Sequence, residues 1–156
     1  MEPYAYVLRN LHGVWQTMQG RRQGLEAMDV SSDGVWRSFQ AVLVSLPMLW
    51  ATWISALRDI APNSALTPVS IMLRLAFADA VAWLLPVALF ALIARPAKLT
   101  HRAAHFVVTN NWGSVIFIAI TALIVPFDLL GPDFDGLAAT ASALALLVSL
   151  VLYFRM

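Results

Sequence analysis

Asp79 raises the first question, because an ionisable side chain deep in otherwise apolar sequence is costly in hydrocarbon and is a functional candidate by default. It could carry a proton or a cation. It could equally be a structural aspartate held by Arg58, by the indole of Trp50 or Trp53, or by water. Arg74 is a poor intrahelical partner, since five residues along a helix give about 7.5 Å of rise and roughly 140° of rotation. A second polar group, Thr109, Asn110, Asn111 and Ser114, falls about two turns inside another apolar stretch. Asparagine there can bind a neighbouring helix for about 1 kcal/mol, and Ser38 and Gln40 are the natural partners at that depth. Asp79 belongs to the outer half of the membrane and the asparagines to the inner half, so direct contact is not expected. They are either two stations on a pathway or clasps between helices.

His101 and His105 stand four residues apart, a spacing that puts two imidazoles on one helix face, but a metal would need further ligands. His12 could add one. No carboxylate completes a hydrolase-type motif, so no metal ligand is assigned, and histidines at headgroup level are the ordinary explanation. The chain has no cysteine, and it shows no phosphate-binding glycine loop, nucleophile elbow or paired-carboxylate motif. No catalytic residue and no cofactor are assigned, and nothing argues for an enzyme.

The elements that must position these residues are membrane helices. Of 156 residues 60% are hydrophobic and only 12% charged, against about a quarter charged in soluble domains. The net charge of +1 gives no reason to expect a nucleic-acid partner. Four stretches carry no charge: 38–57, 80–94, 106–127 and 137–154. Three are long enough to cross about 30 Å of hydrocarbon. The second extends back to Pro68, because Thr67 reads as an N-cap and Pro68 as the first helical position. That extension places Arg74 and Asp79 inside it. The predicted fold is therefore all-α, a polytopic membrane bundle of four transmembrane helices over residues 36–156, preceded by a cytoplasmic amphipathic helix and linker over residues 1–35.

Pro47, Pro86 and Pro126 predict bends, static or hinge-like. Ala138, Ala141, Ser142, Ala145 and Ser149 give the fourth helix a face for close contact, either with a second copy or within the bundle.

Lys and Arg residues set the orientation. Arg9, Arg21, Arg22 and Arg37 precede the first span, Arg95, Lys98 and Arg102 lie between the second and third, and Arg155 follows the fourth. Those sides, and both termini, are expected on the cytoplasmic side of the membrane. The opposite loops carry Arg58 with Asp59, then Asp128, Asp133 and Asp135 without a basic residue. No cleavable signal is visible, so the first span is expected to direct insertion.

Tyr4, Val7, Leu8, Leu11, Val14, Trp15 and Met18 fall on one arc of about 120°, while Arg9, Gly13 and Gln16 face the other way. With Arg21 and Arg22 just beyond, this predicts an interfacial helix lying in the inner leaflet. The same stripe could instead cover the end of the bundle or dock on a partner. Ser31, Ser32 and Asp33 then cap the first span, and Trp36 and Arg37 suit the headgroup belt.

This lead-in segment, residues 24–39, together with Phe106, Asn111 and Trp112, resembles a group of small multi-pass proteins of alphaproteobacterial inner membranes and, more distantly, the Yip1-type membrane domain. The resemblance covers about two thirds of the chain on loose motifs and implies no catalytic residues. It implies a further helix after Met156, so the natural unit could hold five.

The functional expectation is a non-catalytic membrane protein that organises, assembles or regulates other components through helix and lipid contacts, with the bilayer and either a membrane-protein partner or a second copy as its associates. The alternative is a subunit of an oligomeric transporter or channel using Asp79, its pore formed between protomers.

Overall fold

The computed structural model describes residues 3–156, and its regular structure is entirely helical. Among these residues eight α-helices follow in order: α1 Pro3–Met18, α2 Gln23–Ala27, α3 Ser32–Ser38, α4 Gln40–Ile60, α5 Pro68–Ala94, α6 Ala103–Ala122, α7 Val125–Leu130 and α8 Asp135–Arg155. Four segments are long and apolar enough to cross a membrane: Ser32–Asn63, Pro68–Ala94, Thr100–Leu130 and Gly136–Arg155. The first joins α3 to α4 and the third joins α6 to α7.

Local chemistry explains the boundaries. The Thr67 hydroxyl accepts from the Ser70 amide at 3.3 Å with Pro68 in the first turn of α5, as the sequence predicts. Ser31 caps α3 in the same way, accepting from the Gly34 amide at 3.1 Å. Pro47 and Pro86 lie inside the continuous helices α4 and α5. Pro126 behaves differently: α6 ends at Ala122, and α7 begins with this proline in its first turn, where a missing amide costs nothing.

The arrangement turns on α6. Val108, Thr109, Asn110, Asn111, Trp112 and Gly113 are all buried. Six consecutive residues at about 100° each pass every side of a helix, so this stretch is covered all round. Its neighbours are α1, α3, α4, α5 and α8. Trp112 is fully buried in a core shared with Tyr6, Val14, Met18, Ala41, Trp83 and Val108. The Tyr6 ring meets it edge-on, with centroids 5.9 Å apart.

Helix α1 thus supplies core side chains rather than lying wholly apart. Its predicted stripe is divided: Val14 and Met18 are buried against the bundle, Val7 and Leu11 are half-buried, and Tyr4, Leu8 and Trp15 are exposed. On the side away from that stripe, Gly13 packs against α2. A Cβ on Gly24 would collide with the Gly13 carbonyl, and one on Gly13 would lie 2.9 Å from the Gly24 carbonyl. The small-residue face of α8 points inward, with Ala138 and Ala145 buried and Leu144, Leu147 and Phe154 exposed. Ala141 and Ser149 of that stripe are half-buried and Ser142 is exposed. Arg155 closes the same end by donating to the Gln19 carbonyl at 3.1 Å.

Candidate functional site

Two polar layers cross the bundle, both anchored on one face of α5. In the first, Asn111 at the centre of α6 is buried and uses both ends of its carboxamide. Its Oδ1 accepts from Trp83 Nε1 of α5 at 2.9 Å, and its Nδ2 donates to Ser38 Oγ of α3 at 2.8 Å. The Ser38 hydroxyl in turn donates to the Val35 carbonyl at 2.7 Å. Three spans are therefore joined through one side chain. Asn110, about 100° round the helix, donates to the Trp83 carbonyl at 3.4 Å. That carbonyl is next to Ala82, whose oxygen loses its helical donor to Pro86. Ser114 donates to the Asn110 carbonyl at 2.8 Å and stays within its own helix.

The second layer is one turn away, because Asp79 precedes Trp83 by four residues, about 6 Å of rise on the same face. Asp79 is half-buried, and its Oδ2 accepts from Trp53 Nε1 of α4 at 2.6 Å. Of the partners open to it from the sequence, the Trp53 indole is the one it takes. Trp53 in turn contacts the Trp50 ring, with centroids 5.9 Å apart. Arg74 is exposed and borders a shallow depression with Val69 and Phe77.

A third link was not legible in the sequence. Ser55 Oγ of α4 donates to Asp128 Oδ2 of α7 at 3.0 Å. Asp128 reads as one of three acidic loop residues, and no spacing rule pairs it with a serine 73 positions earlier. Trp83 was missed too. Its signal was available, since a tryptophan in mid-span needs an acceptor for its N–H and asparagine is one of the few present.

The membrane-surface candidates are spread around α1 and the following turn. Tyr4, Leu8 and Trp15 are exposed, Val7 and Leu11 half-buried, Met18 fully buried, and Arg21 and Arg22 exposed. Tyr6 reaches the Gly34 carbonyl with its hydroxyl at 3.3 Å. Burial pushes the phenol above its ordinary pKa, and the nearby Asp29 carboxylate adds to the effect. Asp29 is itself held below the usual carboxylate value, first by the Ser31 hydroxyl at 2.7 Å and then by the Ser31 amide at 3.1 Å. His12 shares a hydrogen bond of 2.8 Å with Gln16, while His101 and His105 are exposed on the wall of a cavity. Among the described residues no three His, Asp or Glu side chains gather as a metal site would require.

Chemically, these layers hold helices in register. The Asn111 carboxamide spends one acceptor and one donor on other helices, and one Asp79 oxygen is engaged by an indole. The chain matches no protein-family description, no curated protein and no solved structure.

Proposed function

We propose that this chain is a non-catalytic protein of a bacterial inner membrane that organises, assembles or regulates other membrane components. In this reading α1 is an amphipathic helix lying in the cytoplasmic interface. One observation carries the proposal: α1 anchors itself through Tyr6, Val14 and Met18, yet leaves Tyr4, Leu8 and Trp15 outward at 71%, 47% and 43% exposure. An aromatic and aliphatic strip of that kind, followed by Arg21 and Arg22, suits acyl chains and lipid phosphates or an apolar partner surface. The engaged polar layers support the non-catalytic part. The distribution of Lys and Arg supports placing both termini in the cytoplasm. The reading also accommodates a place among the small multi-pass proteins that the lead-in segment resembles.

The test is gentle co-purification of tagged protein carrying Leu8→Glu with Trp15→Glu, beside Asp79→Ala. Both altered surface positions are exposed, so folding is expected to survive. The surface variant should lose its co-purifying partners, and Asp79→Ala should keep them. Partners retained by the surface variant would count against the reading. Ion flux through reconstituted protein that disappears with Asp79→Asn would replace it with a transporter subunit.

A further inference from the structure

A cavity of about 860 Å³ opens where the C-terminal ends of α5 and α8 meet α2 and the start of α6. The first turns of α6 line one side, with His105, Phe106 and Thr109 following Arg102, which immediately precedes the helix. From Arg102 to Thr109 the helix rises about 10 Å, so the wall changes with depth. Arg102 and His101 line the cavity beside the start of α6, and Arg22 lines it just before α2. Phe90 and Phe106 stack with centroids 4.3 Å apart, and Leu25, Tyr153 and Met156 add to the apolar lining.

Two further features distinguish the lining. Neither Arg22 nor Arg102 makes an ion pair among the described residues, although Glu26 is on the same wall. Thr109, on the cavity wall, is only 5% exposed, and its hydroxyl has no hydrogen-bond partner. A buried hydroxyl without a partner is costly, and in a membrane helix it would ordinarily bond back to its own backbone, as Ser114 and Ser45 do here.

We propose that this cavity binds a net-anionic phospholipid, its phosphate between Arg22 and Arg102 and the upper part of an acyl chain against Phe90 and Phe106. Thr109, about a turn beyond Phe106, borders the far end of the apolar part. The volume falls within the range of small-molecule sites, and two guanidiniums against Glu26, the one side-chain carboxylate on the lining, favour a headgroup of net negative charge. The site requires the helices to be in a bilayer, but it does not depend on an organising role.

Native mass spectrometry of the purified full chain tests this with phosphatidylglycerol, phosphatidylcholine of the same acyl chains, and inorganic phosphate. Phosphatidylglycerol should bind the tightest of the three. Arg22→Gln with Arg102→Gln should weaken it about thirtyfold, while leaving phosphatidylcholine unchanged. Glu26→Gln should tighten it, a gain that damaged folding cannot mimic. Arg74→Gln, outside the cavity, should change neither lipid's binding. Equal binding of the two lipids, phosphatidylglycerol binding untouched by the double variant, or inorganic phosphate binding as tightly as the lipid would each overturn the proposal.

Discussion

If Asn111 is the clasp between three spans, its bond to Trp83 should appear as a coupling energy. The perturbation is a cycle of Asn111→Leu, Trp83→Phe and the double variant. Leucine removes two interhelical bonds, of 2.9 Å and 2.8 Å. Bonds of this kind average about 0.6 kcal/mol and reach about 1.7 in membrane proteins. The change also strands the Trp83 N–H in a buried place with no water to replace the acceptor, which adds about 1 to 3 kcal/mol. Asn111→Leu should therefore cost about 2 to 4 kcal/mol. Trp83→Phe strands Asn111 Oδ1 and trims the core, for a loss of about 2 kcal/mol. The double variant leaves neither group orphaned, so it should lose about 1 kcal/mol less than the sum. Helix content followed by circular dichroism through a denaturing-detergent titration in mixed micelles gives all three values without relying on indole fluorescence. Single losses that add to within about 0.3 kcal/mol would refute the claim that these two side chains depend on each other.

Glycine contacts predict an asymmetry. Gly24→Ala, whose Cβ meets the Gly13 carbonyl and the backbone of Thr17, should destabilise by about 1 to 3 kcal/mol in thermal unfolding. Gly113→Ala meets only the mobile ends of Met156 at 2.8 Å and Met18 at 3.4 Å. It should be near neutral, since it also gains up to about 1 kcal/mol of helix propensity. Equal tolerance at the two sites would contradict the close approach of α1 and α2. For orientation, single cysteines at Ser64 and Gly136 should react with an impermeant maleimide added outside intact cells, and one at Ala97 should not. The native chain contributes no background thiol. For pH, the folded-state pKa of Asp29 lies below its unfolded value. Its stabilisation is therefore complete above the unfolded pKa and is lost as pH falls through the folded one. Ser31→Ala should raise the Asp29 pKa in an NMR titration, and an unchanged value would show that the Ser31 hydroxyl is not the cause.

The reach of the sequence differed from one helix to the next, for physical reasons. The four apolar segments, the Thr67 and Pro68 start of α5, and Ser38 as a partner for the asparagines could all be read from composition, capping chemistry and depth. The inward face of α1 could not. Asn10, Gly13 and Thr17 share it with Tyr6 and Val14, and a hydrophobic-periodicity argument assigns such small and polar residues to the outside. They can be buried because their polar groups are locally engaged: Asn10 donates to the Tyr6 carbonyl at 2.8 Å and Thr17 to the Gly13 carbonyl at 2.9 Å. What reads as a polar side is a face made flat enough for α2 to approach.

The central place of α6 was hidden for a different reason. In water a helix declares its buried side by contrast, whereas in hydrocarbon both the lipid-facing and the protein-facing sides are apolar. Apolar periodicity therefore cannot distinguish a peripheral helix such as α5, where only Ile71, Trp83 and Ala94 are buried, from one enclosed on every side. Polar residues break the symmetry, because lipid cannot satisfy them. Adjacent asparagines are about 100° apart on a helix. If both avoid lipid, the protein around them must wrap well beyond a single contact face. Asn110 reaches the backbone of α5, while Asn111 reaches both the Trp83 side chain and α3. A consecutive polar pair in mid-span is thus a sign of enclosure, and in this chain it marks the helix around which the others assemble.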